Sequence, residues 1–201
     1  MTMRVAVAVS GRGSNLEALL RALGPAAPAQ VVLVLSDRAD AGGLAVARQH
    51  AVAAEVLARP AEATEWLERL EHHRIDLVVL AGYLKLVPAD VIARYRGRMV
   101  NVHPALLPAF GGQGMYGQRV HAAVLASGAR ESGATVHLVD EVYDRGAILA
   151  QARVPVLAAD TPESLATRVL TVEHRLLPAV VLAAAAAGHP VPLPEPVEST
   201  S

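Results

Sequence analysis

The chain has 201 residues, of which 53% are hydrophobic and 18% are charged, and its formal net charge is −1. This size and composition suit a single α/β domain with a hydrophobic core. The balanced charge argues against a nucleic-acid-binding protein, which usually carries a basic excess. The absence of cysteine excludes disulfides, thiolate metal ligands and a cysteine nucleophile.

The chain starts almost directly with an apolar run at residues 3–9, without the charged segment and cleavage site of a secretory signal. The longest apolar stretch, residues 176–188, is rich in alanine and shorter than the roughly 20 residues that a membrane span needs. We therefore expect a cytoplasmic protein that does not contact a membrane, with this stretch as a buried helix.

Up to residue 108, apolar runs alternate with helical patterns. Because several runs are apolar on both faces, they are typical of a parallel sheet covered on both sides. The alternation predicts an α/β fold, a doubly wound, mostly parallel sheet with helices on both faces. The predicted strands are 4–9, 30–35, 54–57, 76–81 and 98–102, and the helices are 15–23, 42–50, 61–72 and 89–95.

The pattern changes after residue 108. A glycine-rich loop at 110–117 leads to a helix at 120–127, then to strands at 134–139 and 147–156, and then to a long helix at 161–187. Thr161 suits the N-cap of that helix because Pro162 and Glu163 follow it. No linker divides the chain, so we expect one domain over 1–190 and a loosely held tail over 191–201.

A glycine loop, Ser10-Gly11-Arg12-Gly13-Ser14-Asn15, joins the first strand to the first helix. Such a turn lets backbone N–H groups at a helix N-terminus bind one phosphate group, although a plain tight turn capped by Ser14 or Asn15 is the alternative. The dinucleotide motif would need glycine where Leu16 stands, and the Walker motif would need a lysine. Asp37 at the end of the second strand only weakly favours a nicotinamide enzyme.

The segment Asn101-Val102-His103-Pro104 lies at the end of the fifth predicted strand. Side chains alternate along a strand, so Asn101 and His103 should lie on one face. An amide donor beside an imidazole supplies what acyl transfer needs, a group for a developing oxyanion and a general acid or base. In open α/β sheets ligands lie outside the carboxyl ends of strands, so this segment should share a cleft with the glycine loop and with the loop at 82–86 that follows the fourth predicted strand.

Downstream polar residues have two interpretations each. His137 lies on an alternating strand and is either a partner of the catalytic residues or a satisfied core histidine. Asp140, Glu141 and Asp144 form either a solvated acidic loop or a loop that sends Asp144 into the cleft, where it would raise the pKa of His103. No histidine pair has metal-ligand spacing, so we expect no metal site.

Together these motifs resemble the folate-dependent formyltransferases of purine biosynthesis. The matching segments run in the family's order over nearly the whole chain: 10–16, 80–86, 101–108, 132–137, 144–146 and 171–174. The Asn-x-His-Pro-x-Leu-Leu-Pro segment is common to all formyltetrahydrofolate-using formyltransferases and the related hydrolase, whereas the glycine loop points to the glycinamide ribonucleotide enzymes. The resemblance implies transfer of the formyl group of 10-formyltetrahydrofolate, as cosubstrate, to the amine of glycinamide ribonucleotide.

The resemblance also assigns residues. It implies that the N-terminal half binds phosphate and the C-terminal half binds folate, with Asn101, His103 and Asp144 as the catalytic trio and His137 as a residue that supports them. The phosphate and ribose residues would be Gly13, Ser14, Asn15 and Glu173. The folate residues would be Arg59, Leu84, Lys85, Leu86, Val87, Asn101, Asp140, Glu141, Val142, Tyr143 and Asp144. The loop at 110–117 looks longer than in many members, and Arg145 replaces a small residue.

The expected mechanism is direct transfer through a tetrahedral intermediate, whose oxyanion would accept hydrogen bonds from Asn101 and protonated His103. Asp144 would keep His103 charged or position a water. The expected partners are small molecules, and the protein would be a monomer or a homodimer. The alternatives are formyltetrahydrofolate hydrolase, methionyl-tRNA formyltransferase, which normally has a further domain and a basic surface, and a noncatalytic phosphosugar-binding domain.

Overall fold

A computed structural model of the protein describes residues 2–194. The strands are β1 (Met3–Val9), β2 (Ala29–Ser36), β3 (Ala53–Val56), β4 (Leu77–Leu80), β5 (Met99–His103), β6 (Glu131–Leu138) and β7 (Ile148–Pro155). The helices are α1 (Ser14–Ala22), α2 (Gly42–Gln49), α3 (Ala63–His72), α4 (Ala89–Arg94), α5 (Gln118–Ala126) and α6 (Pro162–Ala187).

All seven strands form one sheet, in the order β3-β2-β1-β4-β5-β6-β7. Neighbours among β1 to β5 pair in parallel, whereas β6 pairs antiparallel with both β5 and β7. The predicted doubly wound, mostly parallel sheet is therefore confirmed. The strand order reverses between β1 and β4, which is where such sheets bind ligands.

Alternating side chains of the sheet supply two hydrophobic cores. On one face, residues such as Val5 and Val7 pack with α1, α2, α5 and α6. On the other face, Ala6 and Ala8 pack with α3 and α4, around the fully buried ring of Trp66. The parallel strands are apolar in both directions because each face is covered by helices.

The long helix α6 begins as predicted, with Thr161 as N-cap and Pro162 as its first residue. The Thr161 hydroxyl accepts from the backbone N–H of Ser164 at 3.3 Å, and the Ser164 hydroxyl accepts from that of Thr161 at 2.9 Å, which completes a capping box. By length and composition alone this helix could cross a membrane. In the fold it packs against β6, β7, α1 and α5, with ten of its residues buried.

The predicted boundaries differ most at β6, which starts at Glu131 and not at residue 134. Residues Glu131 to Gly133 are weak strand formers, but β7 pairs with them, and a Cβ on Gly133 would lie 2.0 Å from the Ala152 carbonyl oxygen. Tertiary pairing therefore overrides local propensity here. Of the tail that we expected to be loose, residues 191–194 are described, and Leu193 N–H donates to Leu149 O at 2.8 Å. Residues 195–201 lie outside the described range.

Candidate active site

A cleft of about 850 Å³ opens at the carboxyl ends of the central strands. The three loops that follow β1, β4 and β5 all line it, as predicted, and α6 and the loop after β6 complete its walls. The glycine loop lies at one end, with Asn101 and His103 further along the same cavity. The cleft therefore joins the predicted phosphate-binding and acyl-transfer residues.

The glycine loop leaves the N-terminus of α1 open. Gly13 is the N-cap at φ 82° and offers no side-chain cap, so the alternative of a tight turn capped by Ser14 or Asn15 does not hold. A Cβ on Gly13 would lie 2.6 Å from Gly43 Cα, so glycine is required by both conformation and space. The first backbone N–H groups of α1 are thus available to an anion.

Asp37 braces this loop from outside the cleft lining. Its Oδ1 accepts from the Ser10 hydroxyl at 2.6 Å, and the Ser10 oxygen accepts from Leu84 N–H at 2.9 Å. This chain of bonds ties the end of β2 to the loops after β1 and β4. Asp37 therefore fixes loop geometry, and the weak indication of a ribose-binding acid finds no support in its position.

Asn15 and Glu173 meet beside the glycine loop. Asn15 Nδ2 donates to Glu173 Oε2 at 2.6 Å, and both residues line the cleft. Burial raises the pKa of Glu173, against the opposing effect of the Asn15 hydrogen bond. Asn15 Oδ1 is buried without a protein partner in the described part of the chain. The hydroxyl groups of a ligand can donate hydrogen bonds to both Asn15 Oδ1 and the Glu173 carboxyl, because each of these groups can accept one.

Asn101 and His137 lie on the adjacent strands β5 and β6, and Asp144 of the loop after β6 reaches both of them. Asn101 pairs with His137 across β5 and β6, and Asn101 Nδ2 lies 3.1 Å from His137 Nε2 and 3.5 Å from Asp144 Oδ1. His137 Nδ1 donates to Leu138 O at 2.7 Å, which leaves Nε2 to accept from the Asn101 amide. His137 thereby fixes the amide orientation of Asn101, and its role in supporting the catalytic residues stays a prediction.

His103 faces the same carboxylate from two residues further along β5. Its Nδ1 lies 3.6 Å from Asp144 Oδ2, and its Nε2 donates to Phe110 O at 2.9 Å. Burial lowers the pKa of His103 below its ordinary value of 6.5, although Asp144 and the Phe110 carbonyl act in the opposite direction. The predicted rise is therefore wrong in its net direction, because burial outweighs the carboxylate.

The long glycine loop fixes Asp144. Gly112 N–H donates to Asp144 Oδ2 at 2.8 Å, and Asp144 itself adopts φ 55°. Burial opposes its ionisation, but the Gly112 N–H that donates to its carboxylate holds the pKa of Asp144 below its ordinary value. The Asp144 turn tolerates Arg145, which is exposed, whereas a Cβ on Gly146 would meet Leu138 O at 1.8 Å.

Thr135 and Gln151 were missed by sequence reasoning. Thr135 Oγ1 donates to Ala105 O at 2.6 Å and accepts from Leu107 N–H at 3.0 Å. Gln151 Nε2 donates to Leu107 O at 2.9 Å and to Thr135 Oγ1 at 3.0 Å. These bonds hold the segment that follows His103. The same segment continues to Phe110, whose carbonyl accepts from His103 Nε2. Only the alternation of β6, which puts Thr135 on the face of His137, could have indicated this role.

The predicted folate residues divide into two groups. Most line the cleft, on the loop after β4 and the loop after β6: Leu84, Lys85, Leu86, Val87, Asp140, Val142 and Tyr143. Arg59 and Glu141 do not line it, because Arg59 pairs with Glu62 at 2.5 Å and Glu141 binds Arg96. The N- and C-terminal halves contribute at both ends of the cleft, since Glu173 meets Asn15 and Leu84 shares a wall with Tyr143.

Comparisons with known proteins agree with this geometry. The model of the formyl transferase family matches residues 3–181. The chain is 45% identical to the chloroplastic phosphoribosylglycinamide formyltransferase of Arabidopsis thaliana, over 89% of this chain and 64% of that protein. It therefore spans just under two thirds of that relative.

Two bacterial relatives are covered more fully. The phosphoribosylglycinamide formyltransferase of Escherichia coli is 36% identical, over 89% of this chain and 85% of its own length. The crystal structure of the Brucella melitensis phosphoribosylglycinamide formyltransferase superposes with a TM-score of 0.84 at 45% identity, covering 92% of this chain and 97% of that one. With the family match over residues 3–181, these similarities show that the chain belongs to the formyl transferase family.

Proposed function

We propose that this protein transfers the formyl group of 10-formyltetrahydrofolate to the amine of glycinamide ribonucleotide in purine biosynthesis. The observation that carries the proposal is one cleft that joins an open helix N-terminus to Asn101, His103 and Asp144. A phosphorylated acceptor and a formyl donor need both ends at once. Relatives that are similar over most of the chain are named phosphoribosylglycinamide formyltransferase.

The proposed acceptor lies along the cleft from the glycine loop to His103. Its phosphate binds the backbone N–H groups of Gly13, Ser14 and Asn15, where the helix dipole favours an anion. Its ribose hydroxyls bind Glu173, and its amine reaches towards His103. The formyl folate lies against the apolar wall that contains Leu84 to Val87 and Val142, with the loop Asp140 to Asp144 over the pterin.

The proposed chemistry needs one proton-transfer group and one oxyanion donor. The neutral amine attacks the formyl carbon, forming the new C–N bond and a tetrahedral oxyanion that accepts a hydrogen bond from the Asn101 amide. His103, whose lowered pKa leaves it neutral in the free protein, takes the proton that the amine loses. Asp144 stabilises the imidazolium, and the proton then passes to the folate nitrogen as its bond to the formyl carbon breaks.

The environment in the cell and the assembly state complete the proposal. We propose that the protein acts in the cytoplasm on small molecules, as a monomer or a homodimer, and binds neither nucleic acid nor membrane. The net charge of −1 speaks against nucleic acid as a partner, and the packing of α6 into the core speaks against a role of this helix in a membrane.

The direct test is an assay with glycinamide ribonucleotide and 10-formyltetrahydrofolate, following tetrahydrofolate release by absorbance. We expect turnover that depends on the acceptor amine. His103→Ala should lose about 10²- to 10⁴-fold in kcat and retain substrate binding, while the exposed-site variant His50→Ala should match the wild type. Release without the acceptor would favour a hydrolase, and no release would favour a binding protein.

A further inference from the structure

A third histidine, His121 on α5, faces the reaction centre. It lines the cleft and is only 4% exposed. Neither ring nitrogen makes a hydrogen bond to any residue in 2–194, and Nδ1 is fully buried. Buried polar groups are nearly always hydrogen-bonded, and one that is not destabilises the fold. This side chain therefore lacks the partner that a purely structural histidine would have.

The burial of Nδ1 fixes which edge of the ring can act. Because Nδ1 is out of reach, the cleft can contact only the Nε2 edge of His121. Burial lowers the pKa of His121 below its ordinary value of 6.5, so the ring is neutral at pH 7. A neutral imidazole has one N–H, and a buried N–H without a partner is rarer in proteins than a buried acceptor without one. The proton therefore belongs on Nε2, which makes it a donor.

The position of α5 selects the ligand group. This helix packs beside α6, which carries Glu173, and His121 lines the same cleft as Glu173 and His103. The proposed acceptor extends along this cleft from its ribose at Glu173 to its amine at His103. Between ribose and amine the acceptor has its glycinamide, whose carbonyl oxygen is a neutral acceptor. The formyl oxygen already has the Asn101 amide as its donor.

We propose that His121 donates a hydrogen bond from Nε2–H to the amide carbonyl of the glycinamide acceptor and so positions its amine for attack. This inference rests on the proposed function. It makes His121 a residue that recognises an amide link between sugar and amine, and hence a determinant of acceptor specificity. The hydrogen bond from His121 to the amide carbonyl requires no change of charge, since its donor and its acceptor are both neutral.

The test compares His121→Leu with His121→Gln in steady-state kinetics and in calorimetric binding of glycinamide ribonucleotide alone. Glutamine can place its amide N–H where His121 has Nε2–H, whereas leucine fills space without a donor. We expect His121→Leu to raise the KM and Kd for glycinamide ribonucleotide about tenfold, with the KM for 10-formyltetrahydrofolate unchanged. His121→Gln should recover most of this loss. Thermal unfolding of both variants, with His50→Leu as a control, distinguishes a folding defect from a loss of binding.

The outcomes are distinguishable. If the wild type transfers no formyl group, the proposed function fails. If the wild type is active but His121→Leu leaves binding of glycinamide ribonucleotide unchanged, only the role of His121 is overturned. It is equally overturned if both variants weaken binding alike while folding normally, or if kcat alone falls, because that would place His121 on the formyl oxygen.

Discussion

The two ends of the cleft differ in what they use for binding. At the glycine-loop end, a short loop joins a parallel strand to α1, and the protein groups expected to bind the ligand are backbone N–H donors. At the other end, β5 pairs antiparallel with β6, and the expected ligand groups are the side chains of Asn101, His103 and Asp144. The first end depends on backbone shape and the second on hydrogen bonds between distant segments.

This difference predicts how each end responds to change. A backbone site tolerates most side-chain substitutions but not the loss of a required glycine. A side-chain site depends on the groups that hold its reactive residues in place. Examples are Gly112, whose N–H donates to Asp144, and Gln151, whose amide donates to the loop after His103. Substitutions at the first end should therefore change binding of the acceptor, and those at the second should change turnover.

The largest effect on turnover is expected for Asp144→Asn. Loss of the carboxylate removes the group that stabilises the His103 imidazolium, so kcat should fall about 10²- to 10⁴-fold. Since Asp144 raises the pKa of His103, its loss should lower that pKa further. Activity that requires neutral His103 declines as pH falls through this pKa, so the acid limb should move to lower pH. The kcat/KM profile checks this, because the ionisation of the acceptor amine is common to both enzymes.

The control is Asp90→Asn, an exposed carboxylate in the first turn of α4, which should reproduce the wild-type profile. An acid limb that stays in place in Asp144→Asn would show that His103 does not set it.

Gly13→Ala should damage the other end. The new Cβ would lie 2.6 Å from Gly43 Cα in a residue at φ 82°, so we expect a loss of about 1–3 kcal/mol in unfolding free energy. The KM for glycinamide ribonucleotide should rise about 10- to 100-fold as the α1 N-terminus shifts, that is, by about 1.4–2.8 kcal/mol. Gly24→Ala, where the Cβ meets nothing within 4 Å, is the control. Equal effects on folate binding would contradict a separate phosphate end.

The contrast between the ends also explains what sequence could predict. The order of elements, the covered sheet and the convergence of three loops follow from apolar runs and glycine positions, which are local signals. Asn101 and His103 follow from the alternation of β5. The direction in which the pKa of His103 shifts could not be predicted, because the shift is set by burial of His103, and that burial depends on the loop that carries Phe110.

Long-range contacts account for the remaining errors. Gln151 and Thr135 act on a loop 44 and 28 residues away in sequence, and no local pattern indicates such bonds. The resemblance implies a folate contact for Arg59, but its guanidinium pairs with Glu62 and does not line the cleft. Arg59 lies outside the six segments that match the family, so no motif fixes its place.

Glu173→Gln separates binding from stability at the glycine-loop end. We expect the KM for glycinamide ribonucleotide to rise about tenfold, because a buried carboxyl bonded to ligand contributes about 1–3 kcal/mol. The folded-state pKa of Glu173 is raised, so its contribution to stability is present below pH 4.5 and is lost as pH rises through the folded pKa. Glutamine does not ionise, so the variant should have the higher Tm at pH 8 and no advantage near pH 4.

The matched control is Glu68→Gln, an exposed residue of α3. A variant Tm below that of the wild type at pH 8 would contradict the raised pKa.

The smallest effect is expected for Gln151→Leu, which tests whether the loop after His103 needs its brace. Leucine leaves the Leu107 carbonyl without its donor at 2.9 Å, so the unfolding free energy should fall by about 1–3 kcal/mol. Since that segment continues to the Phe110 carbonyl that orients His103, kcat should fall about threefold to fivefold, with the KM for glycinamide ribonucleotide unchanged. Gln151→Glu, which keeps the shape but cannot donate, should be at least as impaired, whereas the exposed variant Gln49→Leu should not. Wild-type kcat in Gln151→Glu would mean that the loop holds its position without this bond, and that both ends of the cleft rest on backbone shape.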